Sequence, residues 1–302
     1  MSTIESSAAP NRPVLTLVDG TFELFRAHFS KLPDRRGRDG QPTKAAVGVV
    51  RSLLALVQDA TAPATHIAVA FDNPIESFRN ELYSGYKTGE GIDPDLASQF
   101  DLVEAGAAAL GIVVWSMDRF EADDALATAA VRFKNECHQV RILTPDKDLG
   151  QVVDGDRVVQ VDGIRDRIIN EAAVTDRRVA PASIPDFLAL VGDDADGIPG
   201  LPGFGEKSAA TLLKAYGHLE NIPDDETTWT VKVRGAASLA ETLRRNREAA
   251  TLYRRLATLA KDVPLQQSLE DLRWRGADRG ALRAFCDLAV ANSLTDRAFP
   301  GL

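Results

Sequence analysis

The sequence contains little cysteine and histidine, and this excludes several kinds of site. Only Cys137 and Cys286 occur among 302 residues, so we expect neither a disulfide framework nor a cysteine-based zinc site. The four histidines show no spacing typical of metal ligands, and we expect each to be a surface or core residue. These histidines are His28, His66, His138 and His218.

Long apolar runs are also absent. No run is long enough to span a bilayer, and the N-terminus lacks the basic and then apolar pattern of a secretion signal. Residues 1–12 are small and polar, which is typical of a disordered tail. We therefore expect a soluble, cytoplasmic protein with no membrane partner.

The composition allows a large core and does not exclude a nucleic-acid partner. Apolar residues make up 44% of the chain, enough for one large α/β domain or two small ones. The formal charge is -9, from 35 basic and 44 acidic residues, and the nine acids described below account for all of this excess. Phosphate binding depends on where the charge lies, so a local basic strip would suffice.

Apolar runs and helical spacing alternate over the first part of the chain. The pattern predicts strands at 14–18, 66–71, 112–115 and 140–143, and helices at 43–59, 97–110 and 121–136. Such alternation favours an α/β fold with a mostly parallel sheet and helices on both faces. After about residue 180 the pattern is mostly helical, with helices expected within 197–216, 236–260 and 278–291. No strong linker or repeat interrupts the chain.

Nine acidic residues stand where these segments end or begin. Ligands of parallel sheets gather beyond the carboxyl ends of the strands, where several of these acids are expected to meet. Carboxylates that repel one another in one cleft are tolerated when cations hold them, and ligand sets made only of oxygen select magnesium or manganese. The set comprises Asp19, Asp72, Glu121, Asp123, Asp124, Asp146, Asp148, Asp193 and Asp196.

The spacing of these acids suits two ions. Glu121 and Asp124 are three apart and share a helix face, whereas Asp123 points elsewhere. Two divalent ions about 3.5–4 Å apart can activate water and stabilise the leaving oxygen of a phosphodiester. The alternative for any one acid is an ordinary loop or helix-start residue.

Two basic stretches and one glycine-rich turn are candidates for DNA contacts. The first basic stretch is a loop, for which a solvated surface is the alternative; its cations are Lys31, Arg35, Arg36 and Arg38. The second is a helical stripe spaced by four, formed by Arg79, Tyr83 and Lys87, with flexible glycines beyond it. The alternative there is a helix that packs Phe78, Leu82 and Tyr86 inward.

The glycine-rich turn suits a phosphate bound at a helix N-terminus. It contains Gly203, Gly205, Lys207 and Ser208. The alternative is a plain turn at the start of a helix.

Five segments together resemble the 5′-nuclease of bacterial DNA polymerase I and its flap-endonuclease relatives. They are VDGTFELFRAHF, IAVAFDNPIESFRNELYSGYK, RFEADDALAT, VRILTPDKDLGQ and VGDDADGIPGLPGFGEKSAATLL, and the resemblance covers residues 13–293. It implies a PIN-like core at 13–180 with a helical arch at about 78–100, followed at 181–302 by a helix-three-turn-helix (helix-hairpin-helix) and further helices.

The resemblance also implies roles for the residues that match its motifs. The first metal ion would be held by Asp19, Asp72, Glu121 and Asp123, and the second by Asp123, Asp146, Asp148 and Asp193, with Asp124 and Asp196 acting directly or through water. Arg79 and Lys87 would contact the scissile phosphate. The glycine turn would grip duplex DNA, in some relatives with a potassium ion.

The expected function is therefore a structure-specific 5′-nuclease acting as 5′-3′ exonuclease and flap endonuclease in replication and repair. Its cofactors would be two Mg²⁺ or Mn²⁺ ions, and its partner branched or nicked DNA with a free 5′ strand, with or without an RNA tail. We expect a bacterial, nucleoid-associated monomer. Since 302 residues leave no room for a polymerase, a stand-alone nuclease is expected. One departure is that Glu90 and Asp93 stand where relatives often carry another basic residue.

Two other function classes remain open from the residues. Asp19-Gly20-Thr21 is similar to the opening of aspartate-nucleophile phosphatases, but Leu17 occupies the place where those need an acid. The other alternative is a catalytically inactive, structure-specific DNA-binding protein.

Overall fold

A computed structural model of the protein describes residues 12–165 and 167–299. Its centre is a twisted six-stranded sheet in the order β3-β2-β1-β4-β5-β6, in which β1 to β5 pair in parallel and β6 is antiparallel to β5. The strands are β1 Val14–Asp19, β2 His66–Asp72, β3 Val113–Met117, β4 Gln139–Leu143, β5 Val158–Asp162 and β6 Arg167–Ile169. The expected N-terminal tail at 1–12 lies almost entirely outside the described residues.

Helices connect and cover the strands. Those of the first half are α1 Gly20–His28, α2 Lys44–Val57, α3 Phe78–Leu82, α4 Pro94–Ala97, α5 Phe100–Ala109 and α6 Ala122–Phe133. Those of the second half are α7 Glu171–Arg177, α8 Ile184–Val191, α9 Glu206–Tyr216, α10 Ala236–Arg245, α11 Arg247–Ala257, α12 Arg279–Leu288 and α13 Ser293–Ala298. Short 3₁₀ helices occur at Asp148–Val152, Pro181–Ser183, Leu219–Asn221, Glu226–Thr228 and Glu270–Leu272.

Alternate residues of the central strands face two separate apolar layers. Val69 and Phe71 of β2 pack with α1, α2, α5 and α12, whereas Ala68 and Ala70 face α6. Both faces of the inner strands are therefore buried, which explains their nearly continuous apolar runs. A third apolar cluster joins α8, α9, α10 and α11. The expected parallel sheet with helices on both faces is confirmed.

Two parts of the fold differ from the sequence-based expectations. Helix α1 was not expected; it follows β1 directly and begins at Gly20, where an added Cβ would lie 2.5 Å from the Phe71 ring. Only glycine allows the helix to start this close to β2. In addition, β5 and β6 were not expected; β5 is a short apolar run between turns, and β6 has only three residues.

The segment expected to form a helical arch contains two short helices joined by a loop. α3 ends at Leu82, and Tyr83 has extended backbone angles of φ -152° and ψ 116°. The prediction of a helical stripe through Arg79, Tyr83 and Lys87 is therefore wrong. The loop at 83–93 instead follows the protein surface and is fixed at several points.

One fixed point is a close packing of two glycine-containing loops. Gly197 has φ +72°, and a Cβ on it would lie 2.2 Å from the carbonyl oxygen of Gly85. Beside this contact the Lys87 N–H donates to the Asp196 carbonyl at 3.0 Å. The loop at 83–87 and the loop at 193–198 are consequently held together through their backbones.

We predict that Gly197→Ala destabilises the protein much more than Gly217→Ala. Both positions have a left-handed backbone, but the Cβ of residue 217 would meet nothing within 4 Å. The control should lose about 1 kcal/mol of unfolding free energy, and Gly197→Ala about 1–3 kcal/mol more because of overpacking. Urea unfolding measures both, and equal losses would show that the glycine contact is unimportant.

Candidate active site at the carboxyl end of the sheet

The sheet brings acids that are distant in sequence to one edge. Asp19 and Asp72 end the neighbouring strands β1 and β2, and Asp146 follows β4, which pairs with β1 on its other side. Asp123 lies in the first turn of α6, whose start is joined to β2 because the Ala122 N–H donates to Asp72 at 2.7 Å. Parallel pairing thus explains why these side chains approach one another.

Hydrogen bonds hold some of these acids in place. The Asp19 carboxylate accepts from the Phe22 N–H at 2.8 Å, which caps α1, and from the Thr144 hydroxyl at 2.9 Å. In the next loop Asp146 accepts from the Asp148 N–H at 2.8 Å. The carboxylates are therefore oriented by backbone and hydroxyl groups before any ligand binds.

Burial and mutual repulsion raise the pKa values of three of these carboxyls. Burial raises the pKa of Asp19 to about 7, and the charges of Asp72 and Asp146 act in the same direction. Burial, together with Asp146 and Asp19, raises the pKa of Asp123 well above its usual range. The pKa of Asp148 rises to about 8 through burial and the charges of neighbouring acids. Such mutual repulsion is typical of a site that a cation completes.

The carboxylate oxygens of this cluster are suitable ligands for divalent ions, but they are not close enough to one another to surround an ion. Carboxylate oxygens are the ligands that Mg²⁺ and Mn²⁺ prefer. However, no three His, Cys, Asp or Glu side chains within 12–165 and 167–299 are already grouped closely enough to hold an ion. Small side-chain movements would be needed for ligation.

Asp124 and Arg79 do not occupy the places expected of them. The Arg79 side chain is buried and makes two 2.7 Å hydrogen bonds to the Asp124 carboxylate. It also donates to the backbone carbonyls of Leu256 and Thr258. With no exposed surface, Arg79 is not placed to contact a phosphate, and we correct its expected role to a structural one.

Asp124 is correspondingly occupied by structural contacts. It is fully buried and accepts from the N–H groups of Glu121 and Ala260 in addition to Arg79. These donors occupy both of its oxygens, so the expected role as a metal ligand does not fit this arrangement. The Arg79–Asp124 pair instead joins α3, α6 and the segment after α11.

Glu121 stands between this structural pair and the cluster. Its Oε1 accepts from Ser77 at 2.7 Å and contacts Arg79 at 3.0 Å, while its Oε2 accepts from Tyr86 at 3.3 Å and contacts Lys87 at 2.9 Å. Burial alone would raise the pKa of Glu121, but Lys87 and Arg79 outweigh it and hold the pKa below its usual range. Glu121 is therefore ionised and fully partnered.

Lys87 reaches into the acid cluster from the loop at 83–93. Its Nζ lies 2.9 Å from Glu121 Oε2 and 2.9 Å from Asp196 Oδ1. Asp193, in the same turn as Asp196, uses its carboxylate to cap the turn by accepting from the Ala195 N–H at 2.8 Å. Asp196 is therefore linked to the acid cluster through its ion pair with Lys87.

Residues that were not candidates for the site also belong to this region. Tyr86 is buried with its hydroxyl on Glu121, and Thr144 supports Asp19. The Arg178 guanidinium lowers the pKa of Asp148, against the larger effect of burial, and its Nη1 is buried without a hydrogen-bond partner in the described chain. No local motif marks Arg178, so only the fold reveals it.

The candidate DNA-contacting residues lie in three places. The basic loop packs near α4 and α12, where Arg35 donates to the Val290 carbonyl and Arg36 and Arg38 lie 3.4 Å from Asp95 and Asp287. Lys31 is exposed. Tyr83 is half-buried and packs edge-on against Tyr253 at 6.2 Å, so its ring is already engaged.

The glycine turn before α9 is on the surface. Gly203 has φ +86° and Gly205 precedes the helix, while Lys207 is exposed. The Gly205 N–H donates to the Ser208 hydroxyl at 3.0 Å. That N–H is therefore already used, and a phosphate at this turn would have to displace the hydroxyl or bind other groups.

Comparison with known proteins identifies the family of this chain. The model of the 5′-3′ exonuclease N-terminal resolvase-like domain matches residues 14–179, and that of the 5′-3′ exonuclease C-terminal SAM fold matches residues 179–280. The chain belongs to the 5′-3′ exonuclease family. Membership agrees with the expected resemblance to the 5′-nuclease of DNA polymerase I.

Relatives of the family support this assignment. DNA polymerase I of Mycobacterium leprae (strain TN) is 37% identical over 96% of this chain and 32% of that protein. DNA polymerase I of Bacillus caldotenax is 35% identical over 88% of this chain and 30% of that protein. The chain thus spans about a third of the length of these curated relatives.

Solved structures show the same fold. The T5 D15 protein co-crystallised with metal ions superposes with a TM-score of 0.62 at 17% identity, covering 94% of this chain and 96% of that one. The catalytic core of Rad2 in complex with a DNA substrate gives a TM-score of 0.58 at 15% identity, covering 95% and 92%. Within the described residues of this 5′-3′ exonuclease family member, no helix is long and apolar enough to cross a membrane.

We predict that Arg79→Met lowers the unfolding free energy by about 3–5 kcal/mol, because it leaves the buried Asp124 charge unpaired. Arg119→Met is a matched control, since Arg119 is 64% exposed and lies 3.4 Å from Glu81. Its loss should be below about 1 kcal/mol. Urea unfolding compares the two, and a similar loss in both variants would contradict the structural role of Arg79.

The stability of the metal-free protein should also depend on pH through Asp148. Its pKa is raised to about 8 in the folded state, so the folded protein binds more protons than the unfolded chain below that pH. Stability therefore falls as pH rises toward about 8. We expect Asp148→Asn in a chelator to melt above the wild type at about pH 9, with the difference shrinking toward about pH 5.

Thermal unfolding across this pH range checks the prediction. Asp194→Asn is the control, because Asp194 is exposed on the neighbouring acidic turn and should leave the wild-type pH profile unchanged. An Asp148→Asn variant that is less stable than the wild type at about pH 9 would contradict it.

Proposed function

We propose that the protein is a structure-specific 5′-nuclease that hydrolyses DNA phosphodiesters near junctions of single-stranded and duplex DNA. It would act as 5′-3′ exonuclease and 5′-flap endonuclease in replication and repair. The observation that carries this proposal is the convergence of Asp19, Asp72, Asp123 and Asp146 at one edge of the sheet in a member of the 5′-3′ exonuclease family.

The residues that would hold divalent ions are carried over from the family resemblance. Asp19, Asp72, Glu121 and Asp123 would hold one ion, and Asp123, Asp146, Asp148 and Asp193 a second, with Asp196 acting directly or through water. Mg²⁺ or Mn²⁺ bound there would supply Lewis-acid stabilisation of the phosphate and a lowered pKa for water. Two solved T5 structures with this fold are described with metal ions, one with zinc.

Other residues of the chain would orient the carboxylates and exclude water from the site. Thr144 and the Phe22 N–H fix the Asp19 carboxylate, so its oxygens are oriented toward the cluster. The apolar layers below the cluster exclude water and strengthen each electrostatic interaction above them. Lys87, whose Nζ lies 2.9 Å from Glu121 and from Asp196, would contact a substrate phosphate.

Contacts to DNA outside the cluster would be made to the backbone. The glycine turn with Gly203, Gly205, Lys207 and Ser208 would hold the duplex, with or without a potassium ion, and the exposed cations of the basic loop would contact further phosphates. No sequence-reading motif appears among these residues, which favours recognition of shape. T5 flap endonuclease and Rad2 structures with this fold are described as complexes with DNA.

The proposal also includes a cytoplasmic monomer acting on DNA with a free 5′ strand. Its rival is a catalytically inactive protein that binds the same DNA structures. Both predict binding that weakens steeply with salt. Only the nuclease predicts turnover that depends on a divalent ion.

We predict that Asp123→Asn lowers cleavage of a 5′-labelled flap duplex at least about a hundredfold with Mg²⁺ or Mn²⁺, because it removes the carboxylate expected to be shared by both ions. Binding to the same flap in a chelator should persist. The substrates are flap, nicked and RNA-tailed duplexes, each with magnesium, manganese or chelator.

Asp194→Asn is the matched control, since it removes an exposed acid near the cluster. It should cleave at the wild-type rate. Binding without any metal-dependent cleavage by the wild type would support the inactive DNA-binding protein and refute the nuclease.

A further inference from the structure

Lys87 has contacts that a residue held ready for a substrate phosphate does not need. Its Nζ is equidistant, at 2.9 Å, from Glu121 Oε2 and Asp196 Oδ1, and its side chain is only 26% exposed. Above, Glu121 is assigned to one ion and Asp196 to a direct or water-mediated role at the ion site. The ammonium group therefore occupies the space between groups that would bind cations.

Glu121 cannot serve as an ion ligand while these contacts persist. Ser77 and Arg79 occupy its Oε1, and Tyr86 and Lys87 occupy its Oε2. Of these partners, Ser77 and Arg79 are buried in the core and Tyr86 is buried in the third apolar cluster. Lys87 is the most exposed of the four and has a flexible four-carbon stem, so it is the partner that can leave.

The backbone of Lys87 remains fixed when its side chain moves. Its N–H donates to the Asp196 carbonyl at 3.0 Å, its carbonyl accepts from the Asn80 side chain at 2.9 Å, and Gly85 packs against Gly197. A released ammonium group therefore stays within the length of one lysine side chain from the cluster. That is where a substrate phosphate would lie.

We propose that Lys87 is an internal counter-ion of the acid cluster that a divalent ion displaces, so that ion binding releases the lysine toward the substrate. This inference rests on the proposed function and adds an order of events to it. One ammonium charge offsets only part of the repulsion among the surrounding carboxylates, whereas a divalent ion offsets more at the same position. The displaced lysine then supplies a positive charge only when the ions are in place.

The first test measures ion binding without DNA. Mn²⁺ affinity is determined by isothermal titration calorimetry or electron paramagnetic resonance for wild type, Lys87→Met and Lys134→Met. Removing the competing charge should tighten Mn²⁺ binding by Lys87→Met roughly tenfold or more. Lys134→Met should bind like the wild type, because Lys134 is similarly paired, 2.8 Å from Asp154, and 31% exposed, but lies outside the cluster.

The second test uses the wild-type protein and so does not depend on the folding of a variant. Acylation of lysine amines by an activated acetate ester, followed by mass spectrometry, should be slow at Lys87 in a chelator and faster with Mg²⁺. The reactivity of Lys134 should not change. Unchanged or lower Mn²⁺ affinity of Lys87→Met, or a Lys87 reactivity that magnesium leaves constant, would overturn the inference.

These outcomes separate the inference from the proposed function. If wild type binds ions and cleaves flaps but Lys87 does not respond, the counter-ion role fails and the nuclease stands. If wild type binds no divalent ion, both fail. If ions bind and displace Lys87 without cleavage, the counter-ion role stands and the nuclease fails.

Discussion

Repulsion among carboxylates at the carboxyl end of the sheet is the constraint on which the rest of the site depends. The strands β1, β2 and β4 bring Asp19, Asp72 and Asp146 together at one edge of a sheet that has apolar layers on both faces. N–H groups, the Thr144 hydroxyl and Lys87 offset part of the repulsion. The pKa values of Asp123 and Asp148 remain raised, so these carboxyls hold their protons more strongly than usual until a cation relieves the repulsion.

The first turn of α6 separates structural from functional acids. Consecutive residues on a helix point about 100° apart, so Asp123 and Asp124 face different surroundings. Asp124 meets the buried guanidinium of Arg79, whereas Asp123 meets other carboxylates. The buried Arg79 stabilises the Asp124 carboxylate, whereas Lys87 offsets only part of the repulsion that raises the pKa of Asp123. Glu121 lies between them and belongs to both arrangements.

The sequence predicted the strands and their terminal acids because both signals are local. The apolar runs ending at Asp19 and Asp72 are β-prone, and parallel pairing places their ends together whatever the details of packing. The roles of Arg79 and Asp124 could not be predicted in this way. A cation and an acid 45 positions apart look alike in sequence whether they form a buried pair or face a ligand. The family resemblance implied that Arg79 contacts the scissile phosphate, but it could not show that Asp124 neutralises the charge of Arg79.

The prediction of a helix at 83–93 was wrong for a different reason. Its spacing by four suggested a helix, but the carbonyl of Gly85 packs against Gly197, a contact between segments more than 100 residues apart that no local pattern contains. Tertiary contacts also involve one of the acids that follow Lys87. The exposed Asp93 carboxylate caps α4 by accepting from the Asp95 N–H and lies 3.3 Å from His28.

Glu90 and Asp93 are both exposed at the place where relatives often carry a basic residue. Because Asp93 has an N–H and a histidine as partners, Glu90 is the acid whose charge is less engaged by these contacts. Lys87, by contrast, keeps a fixed backbone and an adjustable side chain. The fold thus holds the backbone of Lys87, whose ammonium group can contact a phosphate, in a fixed position. Glu90, which would repel a phosphate, lies in solvent, where salt screens its charge.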